Sequence, residues 1–203
     1  MTNLLSAGLF VSLLTLAGQQ PRQLDPNAVP VEKEPQHHLV FTNEFVQVID
    51  ARFPPGYKSL SHTHAQDNVA ITIATGRNTE ESLSRIGRAS FSQGGYSHVV
   101  TNSGPIEMRF IAVELLRGDR PGAAAFADEP MHKLEMQNDR VRIYRVRLMP
   151  GESLATHTHS AGWLTVTIKG GQGPGTFEWH AAETANSLRA GDSALEIVEL
   201  EPR

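Results

Sequence analysis

Apolar and polar residues alternate in short runs along this chain, and no stretch reads as a long amphipathic helix. Val46 and Val48 open one alternating run, which ends at the turn signal Pro55-Gly56. Val69, Ile71 and Ile73 then share one strand face, with Thr72 on the other, and Gly76 stops the strand. An apolar stretch from Met108 to Leu116 follows. The same order returns later: Val141 and Ile143, Pro150-Gly151, then Leu164, Val166 and Ile168 with Thr167 opposite, Gly171, and Ala194 to Leu200. Many short strands broken by Gly/Pro turns predict an all-β fold of sandwich or barrel type.

The two passages are one pattern written twice, 95 positions apart. Gly56, His62, His64 and Gly76 become Gly151, His157, His159 and Gly171. Beyond Gly171 the second copy has a loop seven residues shorter, which sets Gly87 on Gly175, Phe91 on Trp179, His98 on Asn186 and Asn102 on Ala190. Residues i and i+2 of a strand face the same way, so each His-x-His aims two imidazoles at one point. The expected division is a leader at 1–18, an extended Pro-punctuated arm at 19–36, a first β domain at 37–116, a linker at 117–130 and a second β domain at 131–203.

Composition narrows the chemistry. A hydrophobic fraction of 39% with 20% charged residues suits a globular protein. A formal charge of −4 and no Lys/Arg-rich run leave no electrostatic footprint for nucleic acid or anionic lipid. With no cysteine in 203 residues, disulfides, thiolate metal sites and cysteine nucleophiles are excluded, so any metal is held by histidine, carboxylate, amide or water. The first twenty residues carry no charged side chain, and Leu4 to Leu16 are apolar with small residues after them. That reads as a secretory signal peptide, lacking a basic n-region, and predicts a secreted or periplasmic protein with no membrane attachment after processing.

The residues quoted above resemble the cupins, and specifically a bicupin, two cupin domains in tandem. The first cupin motif, G-x5-H-x-H-x4-E-x6-G, is met by Gly56, His62, His64 and Gly76, and again by Gly151, His157, His159 and Gly171. The second, G-x5-P-x-G-x2-H-x3-N, is met by Gly87, Gly95, His98 and Asn102, whereas the second copy keeps only Gly175. The resemblance spans about residues 37 to 201 and implies two double-stranded β-helix (jelly-roll) barrels. The family's glutamate ligand falls on Val69 and on Leu164, and its last histidine becomes Asn186 in the second copy.

What the resemblance implies for chemistry is a metal held by His62, His64 and His98, with open positions for water or substrate. Three imidazoles suit Fe, Zn, Mn or Ni without choosing among them. Asp67, two residues before Val69, is expected on the same face as that position and so as an auxiliary carboxylate or a hydrogen-bond partner to a ligand; Asn68 is expected to point away. Val69, Ile71 and Phe91 are expected to line the pocket. His157, His159 and Asn186 form a degenerate second set, and His37, His38, His132 and His180 read as surface or strand-pairing residues. Arg140, Arg142, Arg145 and Arg147 read as a solvated or subunit-facing strand. Two functions stay open: a metal-dependent oxidoreductase of dioxygenase type acting on a small molecule through the first domain, and a non-catalytic module binding a small ligand or metal. A homodimer is compatible with either.

Overall fold

The computed structural model describes residues 24–119, 125 and 129–203. The leader expected at 1–18 and most of the expected linker lie outside the described residues. The first half contains β1 (Val29–Pro30), β2 (His37–Thr42), β3 (Val46–Phe53), β4 (His62–His64), β5 (Asp67–Thr75), β6 (Ala89–Ser92), β7 (Tyr96–His98) and β8 (Met108–Leu115). The second contains β9 (His132–Gln137), β10 (Val141–Leu148), β11 (Ser153–His157), β12 (Trp163–Lys169), β13 (Phe177–His180), β14 (Asn186–Arg189) and β15 (Leu195–Pro202). A 3-10 turn, Val31–Lys33, and one α-helical turn, Glu80–Leu83, interrupt the first half.

Each half pairs a large sheet with a small one. The large sheets run β2-β3-β8-β5-β6 and β9-β10-β15-β12-β13, so the repeat in sequence is a repeat in topology. The small sheets are β1-β4-β7 and β11-β14. The fold is the all-β jelly roll expected. Where the motif glycines sit, the backbone requires them: Gly76 has φ +78°, and a Cβ there would lie 2.4 Å from Asn102 Oδ1. Asn102 is itself a clamp. Its amide donates to Phe53 O and Ile106 O, both at 2.8 Å, and its Oδ1 accepts from Gly104 N at 2.9 Å.

The two large sheets share one apolar core. Val46, Val48, Val69, Ile71, Val113 and Leu115 of the first half join Val141, Ile143, Leu164, Val166, Val198 and Leu200 of the second in a single cluster. Each aliphatic side chain fully buried there contributes about 1.5–3 kcal/mol, which makes this seam the main apolar unit of the described chain. Phe45 stacks on Trp179 across it, ring centroids 5.6 Å apart. Polar contacts close its margin: Arg140 Nε lies 2.8 Å from Asp67 Oδ2, and Arg145 Nη2 donates to Gly87 O at 2.6 Å.

The seam corrects the phase read from the sequence. Val69 and Ile71 face the other half, not a pocket, because their side of β5 is covered by the second large sheet. Asn68 and Ala70 therefore face inward. Arg142 and Arg145 are buried rather than solvated, held by Glu201 at 3.2 Å and by Glu135 and Glu196 at 2.8 and 3.2 Å.

Candidate metal centres

Inside the first half, β4 presents His62 and His64 to the interior, both buried. β7 pairs antiparallel with β4 and sets His98 opposite His62. The ring of His98 stands 4.4 Å from that of His62 and 5.2 Å from that of His64. A fourth imidazole arrives from β2: His37 is buried, its ring 4.4 Å from His62. His37, His62 and His64 place ligand nitrogens within 4.8 Å of one another. His37 is thus no surface residue. The sequence signal was its match to His132 at the repeat offset.

Three of these rings are oriented by oxygen atoms that accept their hydrogen bonds. His37 Nδ1 lies 2.7 Å from Glu34 Oε2, His62 Nδ1 3.0 Å from Leu60 O, and His64 Nδ1 2.6 Å from Glu114 Oε1. A carbonyl or carboxylate oxygen accepts, so each Nδ1 carries the hydrogen and each Nε2 keeps its lone pair for the cluster. His62 Nε2 and His98 Nε2 are buried and have no hydrogen-bond partner among the described residues. Burial pushes His37 down to about 4 against the pull of Glu34, and burial plus the neighbouring imidazoles of His62, His64 and His37 push His98 down to about 4. His62 is also lowered by burial. Neutral imidazoles are what a divalent metal needs, and His98 lies outside the group of mutually close ligand atoms that His37, His62 and His64 form.

The arm contributes directly. β1 pairs parallel with β4, Val29 opposite His62, and Val31 is buried against Ile49 and Ala112. This seats Glu34 1% exposed, where Tyr57 Oη also donates to it at 2.8 Å. A cavity of about 510 Å³ opens beside the cluster, bounded by His37, His64, His98, Asn68, Tyr96 and Phe110. Tyr96 stacks on His64 at 5.1 Å. Another hollow, of about 420 Å³ under the arm, touches none of the four histidines. Asp67 lies away from the cluster, because its carboxylate takes Gly94 N and Arg140 Nε, each at 2.8 Å.

The second half holds a different set. His132, His157, His159 and Glu199 are all buried, with ligand atoms within 4.8 Å of one another. Glu199 Oε2 is 2.8 Å from His132 Nε2 and 2.9 Å from His159 Nε2. Burial would raise Glu199, but the imidazoles of His132, His157 and His159 gathered around it outweigh that and hold the carboxyl well below the usual range. His157, lowered by burial, is raised overall by Glu199. Asn186 pairs with His157 in the place where His98 pairs with His62. His132 and Glu199 lie outside the motif positions. Glu199 in particular left no repeat signal, because the matching position of the first half is Ala112.

No known sequence family and no curated protein matches the chain. Among solved structures it is similar to AerE from Microcystis aeruginosa, with 10% identity and a TM-score of 0.56, over 84% of this chain and 98% of that one. It is also similar to salicylate 1,2-dioxygenase from Pseudoaminobacter salicylatoxidans, in a mutant complexed with gentisate, with 12% identity and a TM-score of 0.58, over 85% of this chain and 76% of that one. At these identities the likeness is one of fold, and that fold is the cupin jelly roll.

Proposed function

We propose that the chain is a bicupin whose first half binds a divalent transition metal through His62, His64 and His98, with His37 beside them, and acts as an oxidoreductase of dioxygenase type on a small molecule. The observation that carries this is the pair of buried, partnerless Nε2 atoms of His62 and His98 next to the 510 Å³ cavity. Leaving one such atom unsatisfied costs about 1–3 kcal/mol, and a cation removes that cost at both. Imidazole donors suit Fe²⁺, Zn²⁺, Mn²⁺ or Ni²⁺. A bound metal supplies Lewis acidity or one-electron chemistry toward dioxygen.

The chain's own residues would orient and shelter the reaction. Glu34 and Glu114 fix two rings, and Phe110 and Val99 give the cavity an apolar wall. The volume lies in the range of pockets that take small organic molecules. The likeness in fold to a salicylate 1,2-dioxygenase supports that class. A leader-like 1–18 supports export to the periplasm or outside the cell. The second reading, a non-catalytic binding module, is favoured by the absence of any carboxylate among the residues lining the cavity. A homodimer is compatible with both.

The test is metal analysis of protein purified without chelators. His62→Ala and His98→Ala should each lose one equivalent that His157→Ala keeps in the first half. Oxygen uptake is then followed with phenolic, diketone and thiol substrates. A wild type that is metal-free and cannot be reloaded overturns the reading; a loaded protein without turnover favours the module.

A further inference from the structure

The second half, stripped of two motif ligands, has the donors for a site of another kind. From the four buried groups we infer that His132, His157, His159 and Glu199 form a closed, four-coordinate structural zinc site. Three imidazole nitrogens and one carboxylate oxygen match zinc's preferred donors, and a tetrahedral site with all four positions taken by protein is structural rather than catalytic. The ligand atoms already lie within 4.8 Å of one another. Only modest convergence is needed for bonds of about 2.0–2.1 Å.

Two observations separate this site from an ion-free hydrogen-bonded cluster. Glu199 is 0% exposed, yet its Oε1 makes no hydrogen bond, the His157 Nε2 being 3.6 Å away. A buried carboxylate oxygen left so is costly, and an ion bound among the three rings satisfies it. Second, His157 Nδ1 is turned to Ala155 O at 3.3 Å, the same backbone orientation that His62 receives from Leu60. Each aims Nε2 inward.

Closure is built by packing. Trp163, fully buried, lies over His159 with centroids 4.6 Å apart, and Tyr144 flanks His132 and His159 at 5.2 and 5.3 Å. A cavity of about 180 Å³ in this half is lined by none of the four ligands, so an ion here would be packed away from it. The inference does not depend on the first half binding metal.

The experiment titrates chelator-stripped full-length protein with zinc. Wild type should take two equivalents, the double variant His62→Ala/His98→Ala one, and Glu199→Gln one. Zinc at a hundredfold over its Kd should raise the Tm of the double variant by roughly 5–10 °C. Cobalt in place of zinc should give the intense visible bands of a four-coordinate ion. If the double variant binds no zinc and its Tm does not move, the site does not exist. A wild-type stoichiometry of one that survives Glu199→Gln also overturns it. A stoichiometry of one that Glu199→Gln abolishes and His62→Ala spares upholds this site and sinks the reading of the first half. Should Glu199→Gln fail to fold, His132→Gln takes its place, and wild type loaded with cobalt that shows only five- or six-coordinate spectra counts against the site.

Discussion

The two halves share a topology and differ at a few inward positions that decide what each barrel holds. Register makes the comparison position by position. Val69 pairs with Val113 in the first half as Leu164 pairs with Leu200 in the second, so Asn68 corresponds to Trp163 and Ala112 to Glu199. Small and amide side chains at the first pair leave a cavity of about 510 Å³ open to the imidazoles. An indole and a carboxylate at the second pair fill the same space and leave about 180 Å³ that does not reach them. One scaffold thus gives an accessible cluster of histidines and a sealed one, by exchanging residues on β5 and β8 for their counterparts on β12 and β15. Access, more than the number of histidines, separates the two.

The largest effect should come from undoing the plug. Trp163 is fully buried between His159 and His180, the latter stacked at 4.7 Å and 19°. Trp163→Asn, which writes the first half's residue into the second, should cost about 3–5 kcal/mol in urea unfolding, the price of a large core cavity. A loss below about 1 kcal/mol would show that the indole is not what fills this barrel. The reverse exchange, Asn68→Trp, should close the first cavity: binding of single-ring ligands, followed by calorimetry, should vanish while metal stays bound.

Acid should act on the halves differently. In metal-free protein the folded pKa values of His37 and His98 are near 4, below the unfolded value of 6.5. Their contribution is complete above pH 6.5 and is lost as pH falls from 6.5 to 4, because only the unfolded chain takes up protons in that window. With His98 partly exposed and its share discounted for solvent, the two together amount to about 2–4 kcal/mol. In the second half the signs differ. Glu199, lowered, stabilises above its unfolded value and is lost only at lower pH; His157, raised, stabilises below pH 6.5 and is lost as pH rises through its folded pKa. Urea midpoints of metal-free protein should fall between pH 6.5 and 4.5, and His98→Gln should flatten that slope. A wild-type midpoint that stays level across the window would contradict neutral buried imidazoles.

Much of this was legible in the sequence for definite physical reasons. Glycines at positive φ such as Gly76, and the strand period of two, recur at a fixed offset and so mark the fold. His-x-His pairs lie on the short strands β4 and β11 or just past them, where i and i+2 point alike, and both came out buried. The phase of β5 was not legible, because alternation says which residues share a face and not what covers it. Val69 and Ile71 are apolar since a second sheet lies against them. The supporting carboxylates were hidden for another reason: Glu34 comes from the arm, and Glu114 and Glu199 from the last strand of each half, at distances in sequence of 3, 50 and 40 residues from histidines they hold. His37 and His132 did carry a signal, their common offset of 95, but a place at the start of a strand does not say whether the side chain turns inward, as both do.

The smallest effect decides whether Asp67 belongs to the metal centre or to the seam. Its carboxylate accepts from Gly94 N and pairs with Arg140, which also donates to Leu115 O at 2.9 Å. The pair is partly exposed, at 24% for Asp67 and 35% for Arg140, so screening limits its worth. Asp67→Asn keeps an oxygen for Gly94 and removes the charge, and should cost no more than about 1 kcal/mol. Arg140→Ala should cost a similar amount, and the double variant less than the sum of the two, since the partners act on one contact. Bound metal should be unchanged in all three. A Asp67→Asn protein that loses metal at the first half would move this carboxylate back beside His62 and His64, and with it the face of β5 that looks into the barrel.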